Sequence, residues 1–65
     1  MEFIYGDKVE VIAGFYKGYM GIVEDYSKTP TGTIFYNVTI TMVIDDCWKR
    51  KVCEIRESYL QKPIL

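Results

Sequence analysis

Residues 33–44, "TIFYNVTITMVI", alternate with a period of two, and no other stretch limits the fold so sharply. Ile34, Tyr36, Val38, Ile40, Met42 and Ile44 fall on one face, and Thr33, Phe35, Asn37, Thr39, Thr41 and Val43 on the other. Strict alternation over so many residues is the signature of a strand with one buried face. At this length the spacing predicts a bend or bulge. Asp45-Asp46 reads as a turn, and "CWKRKVCEI" as the return strand of a hairpin.

The rest of the chain follows the same period. Val9, Val11 and Ala13 alternate with Lys8, Glu10 and Ile12, which predicts a strand over 8–13. A second strand is expected over 19–26. Ser27 to Gly32, "SKTPTG", is turn chemistry throughout. "RESYL" suits one tight helical turn, and "QKPIL" a last short strand with Pro63 at an edge. No helix of ordinary length, internal repeat or linker is visible. Five short strands in 65 residues cannot make two stacked sheets of full size. A small, highly curved, partly open barrel is the economical solution, so the expected fold is all-β, a single barrel of about five antiparallel strands over residues 1–65. A chain of this size buries only about 60% of its unfolded surface. The 49% hydrophobic content and ten aromatics (one Trp, six Tyr, three Phe) nevertheless suit a compact core.

Glycine weakens a strand, so Gly14, Gly18 and Gly21 within "VEVIAGFYKGYMGIV" need a reason. Gly14 and Gly18 flank a loop, where positive φ or close approach is expected. Gly21 falls inside the second strand, which predicts a bulge or tight bend at a barrel corner. The spacing V-x-V-x-x-G-x-x-K-G-x-x-G-x-V, from Val9 to Val23 after Gly6-Asp7, resembles the KOW motif of ribosomal large-subunit proteins and of transcription-elongation factors of the NusG type. The resemblance implies a non-catalytic SH3-like barrel that binds RNA or a protein. One departure bears on the ligand. Family members that hold ribosomal RNA are basic around this loop, whereas here it reads Phe15-Tyr16-Lys17-Gly18-Tyr19, aromatic with a single positive charge.

Charge points the same way. The net formal charge is −1 and the sequence pI about 5.2, without the basic excess of a nucleic-acid binder. Residues 1–26 carry Lys8 and Lys17 against Glu2, Asp7, Glu10, Glu24 and Asp25; most of the cations lie in the later residues. The only basic cluster is Lys49-Arg50-Lys51, beside Trp48. Alternation puts Lys49 and Lys51 on one face and Trp48 and Arg50 on the other, so half the cluster can meet any one partner. It could contact phosphate, with Trp48 adding stacking. Alternatively it is a solvated edge strand whose cations block unwanted sheet pairing.

Candidate binding residues are therefore Phe15, Tyr16, Lys17, Tyr19, Trp48, Lys49, Arg50 and Lys51. Tyr5, Tyr26 and Tyr36 are expected to cover the core. A protein partner is favoured, with RNA or the ribosome as the alternative, and homo-oligomerisation through an exposed edge strand is a third reading. Catalysis is not expected. There is no histidine to serve as a base near neutral pH, and adjacent turn residues Asp45 and Asp46 diverge. Cys47 and Cys53 lie about 20 Å apart if they share a strand, beyond the reach of a disulfide. They read as buried, inert thiols, and two cysteines without histidine support no zinc site. No cofactor, metal or small-molecule substrate is expected. Glu2 and Asp7 stand where a leader would need a cationic and apolar run, and no stretch reaches the ~20 apolar residues of a membrane helix. A cytoplasmic protein with no membrane partner is the expectation.

Overall fold

The computed structural model describes residues 2–63. The alternation of residues 34–44 is realised as the central strand of the molecule. Tyr36, Val38 and Ile40 are fully buried, while Phe35, Asn37 and Thr39 on the opposite face are half-exposed. Five strands form one antiparallel sheet: β1 (Lys8–Val11), β2 (Met20–Lys28), β3 (Ile34–Ile44), β4 (Cys47–Arg56) and β5 (Leu60–Gln61). A single 3-10 turn, Glu57–Tyr59, joins β4 to β5. The sheet order is β4-β3-β2-β1-β5, curled into a half-barrel. Among the described residues no helix is long and apolar enough to cross a membrane.

The curl gathers one face of every strand around a single core. Val9 and Val11 of β1, Val23 of β2, Tyr36, Val38 and Ile40 of β3, Cys53 and Ile55 of β4, and Leu60 of β5 meet there, with Phe3 closing one end. Each such aliphatic side chain contributes about 1.5–3 kcal/mol when fully buried. Phe3 packs edge-to-face on Tyr36 with centroids 5.3 Å apart. Its N–H donates to the Tyr36 hydroxyl, which in turn donates to the Glu57 carboxylate. The amide of Glu2 donates to the same carboxylate. The first residues, to which the periodicity assigned no place, are thus tied to the 3-10 turn.

Several boundaries differ from the expected ones. β1 stops at Val11: Ile12 N–H still donates to the Tyr59 carbonyl, in the 3-10 turn, and Gly14 then turns the chain away at φ +84°. β2 runs on through Ser27 and Lys28, which pair with Phe35 and Ile34 and shorten the following loop. β5 ends at Gln61, so Pro63 lies beyond the strand; the rest of the expected final strand, Ile64 and Leu65, falls outside the described residues. The bulge sits in β2 between Val23 and Asp25, and not in β3 or at Gly21. Of the three tyrosines assigned to the core only Tyr36 is buried: Tyr5 is 76% and Tyr26 49% exposed. Cys47 is likewise exposed, because it sits beside the hairpin turn, whereas Cys53 is buried two pairs from Ile55 on the same face.

β3 and β4 continue together past the sheet. β2 pairs with β3 only as far as Ile40, so residues 41–50 project as a two-stranded arm closed at Asp45-Asp46.

Candidate functional site

The β1–β2 loop is held in shape by its own backbone. Val11 N–H donates to the Tyr19 carbonyl, Gly18 N–H to Val11, and Tyr19 N–H to Tyr16. Gly14 and Gly18 have φ of +84° and +97°, the left-handed region that L side chains disfavour. Gly14 has a second reason to lack a side chain, since a Cβ there would stand 3.1 Å from the Tyr59 ring. The two glycines therefore let the intervening residues fold back as a compact turn.

That turn stacks three rings edge to face. Phe15 and Tyr16 have centroids 5.0 Å apart, and Tyr16 and Tyr19 6.4 Å. Tyr16 is half-buried against the core and anchors the group, whereas Phe15 is 91% exposed. Lys51, from β4, lies 5.6 Å above the Tyr16 ring. The neighbouring Tyr16 hydroxyl raises the Lys51 ammonium above the usual lysine range. Four of the eight candidate residues, Phe15, Tyr16, Tyr19 and Lys51, therefore form one surface.

Among the described residues the other four make no ring or cation–ring contact with this group. Lys17 is exposed on the loop. Lys49 shares a face with Lys51 but stands two pairs closer to the arm's tip, opposite Met42. Trp48 and Arg50 project from the other side of the arm, opposite Val43 and Thr41, and Trp48 is 77% exposed. The alternation rule had already divided the cluster in this way.

Beside the aromatic turn the half-barrel leaves an open groove of about 280 Å³, between Gly14, Phe15 and Tyr16 on one side and Glu54, Ile55 and Arg56 on the other. Arg56 lies over the rings of Phe35 and Tyr59, 5.7 and 5.9 Å from their centroids. Arg56 and Tyr59 were missed as surface residues of interest. Their only sequence signal was their place beside a tight turn, which gives no hint that the curl carries them next to Phe15. Among the described residues no three His, Cys, Asp or Glu side chains come together to hold a metal ion.

Comparison with known proteins returns no family model, no curated protein and no solved structure that matches the chain.

Proposed function

We propose that the chain is a non-catalytic binding module whose β1–β2 loop presents Phe15, Tyr16 and Tyr19 to a protein partner. The observation that carries this reading is Phe15 itself, a large apolar ring almost wholly in water. It is buttressed by Tyr16 on a turn stiffened by backbone hydrogen bonds. A rigid aromatic anchor loses little conformational freedom on binding, and such anchors dominate protein interfaces. The split of the cations over two faces of the arm weakens the case for a phosphate-tracking surface. The KOW resemblance and the strand order with its 3-10 turn both accord with a binding barrel.

A nucleic-acid reading keeps one specific support: Lys51 above Tyr16, with Lys17 on the same loop, is the pairing of cation and ring that stacks on bases. The test is capture on tagged protein, run with and without nuclease. Capture of the same protein after nuclease treatment, weakened thirtyfold or so by Phe15→Ala (about 2 kcal/mol) and nearly constant from about 50 to 200 mM salt, supports the protein partner. Capture that vanishes with nuclease and falls steeply with salt replaces it with the nucleic-acid reading.

A further inference from the structure

β4 is an edge strand ten residues long, and among the described residues it pairs with β3 alone. Every residue from Cys47 to Val52 is exposed. Such an edge offers a row of free amides on which a second strand can add. The hairpin turn fixes which amides these are. Asp45 and Asp46 both have positive φ, so the turn has two residues, and Ile44 and Cys47 exchange the first pair of hydrogen bonds. Bonded and non-bonded pairs then alternate along the ribbon. Trp48, Arg50, Val52, Glu54 and Arg56 consequently turn their N–H and C=O groups outward.

We propose that this edge is a self-recognition surface, on which two copies of the chain pair β4 with β4 antiparallel about a two-fold axis at Val52. The charges select that register. With the axis at Arg50 or Lys51, that cation meets itself; with the axis at Cys53, Arg50 meets Arg56. Like charges directly opposite are destabilising. With the axis at Val52, Arg50 stands opposite Glu54 of the second copy, and symmetry makes this contact twice. No like charges face each other, and Lys49 and Lys51 lie opposite the uncharged Ile55 and Cys53. Trp48 stands opposite Arg56, which already lies over Phe35 and Tyr59. The exposed indole thus gains a cationic partner beside two rings. The same cations that reject every neighbouring register permit this one. The two half-barrels join as one sheet, with their core faces on the same side.

Sedimentation velocity from about 1 μM to 1 mM tests the proposal, a range that brackets the micromolar affinity expected of so narrow an interface. The native chain should pass from monomer to dimer with rising concentration. Arg50→Glu and Glu54→Arg should each weaken the dimer about tenfold or more, and the double variant R50E/E54R should restore it. Within one copy these residues pair with the neutral Thr41 and Asn37, so the exchange leaves each monomer's own ladder undisturbed. Val52→Pro removes an outward N–H and should hold the chain as a monomer with its thermal unfolding retained. A monomer at every concentration overturns the proposal. A dimer indifferent to both single reversals, or one that survives Val52→Pro, overturns it too and moves the interface elsewhere. Self-association is read on the chain alone with no partner present, so failure here is distinguishable from failure of partner capture.

Discussion

Gly21 lies inside β2 with ordinary strand dihedrals, and the reason for its missing side chain is across the strand. A Cβ there would fall 2.5 Å from a Val38 methyl and 2.8 Å from the Thr39 carbonyl oxygen. The methyl could rotate away, but the carbonyl belongs to the β3 ladder and cannot. Gly21→Ala should therefore destabilise the fold by about 1–3 kcal/mol, read as a lower urea midpoint with an unchanged slope. The glycine was legible as an anomaly within a strand, but its cause was not. A bulge and a close approach leave the same mark on a sequence, and only the position of β3 against β2 separates them. The bulge that does occur falls at Glu24, in a run of ordinary residues that carry no signal for it.

At the level of elements the β3–β4 hairpin was the most legible part of the molecule. Both strands and the turn lie where alternation and Asp45-Asp46 put them, because a half-buried strand must alternate and an abrupt polar pair ends it. The turn is nevertheless strained. Both aspartates occupy the left-handed region, φ 52° and 61°, where type I′ hairpins favour glycine at the second position. Asp46→Gly should relieve that strain and stabilise the chain by about 0.5–1 kcal/mol, raising Tm by roughly 2–8 °C for a domain of this size. A fall in Tm would mean that the Asp46 side chain supports the arm. The extra length of β2 was less legible. Ser27 and Lys28 carry turn propensity, and only pairing with Phe35 and Ile34 holds them in the sheet.

Over the whole molecule, one polar chain links the first residues, the middle strand and the last turn. The Tyr36 hydroxyl is buried, accepts from Phe3 N–H and donates to Glu57. Burial raises the Tyr36 hydroxyl's pKa, with Glu57 adding to the shift. The hydrogen bond from Tyr36 holds the Glu57 carboxyl below the usual carboxylate range. Linkage gives both signs. The Glu57 contribution is present above about pH 4.3 and is lost as pH falls through its lowered folded value. The Tyr36 contribution holds below about pH 10 and is lost as pH rises through its raised folded value. Tyr36→Phe should therefore flatten the acid limb of stability against pH and lower stability at pH 7 by about 1–3 kcal/mol, seen in urea melts across the acid range. An acid limb unchanged by the substitution would locate the titrating group elsewhere.

The sequence by itself determined the class of fold, the faces of the strands, the hairpin turn and the aromatic character of the β1–β2 loop. Each of these follows from period-two alternation and from the backbone preferences of Gly and Asp, which act over a few residues. Tertiary structure alone decided that Lys51 lies above Tyr16, that Arg56 and Tyr59 border Phe15, and that Tyr5 and Tyr26 stay in water while Phe3 goes inside. Those are contacts between residues tens of positions apart. They depend on how far the sheet curls, which is set by the summed packing of the core and not by any one stretch of the chain.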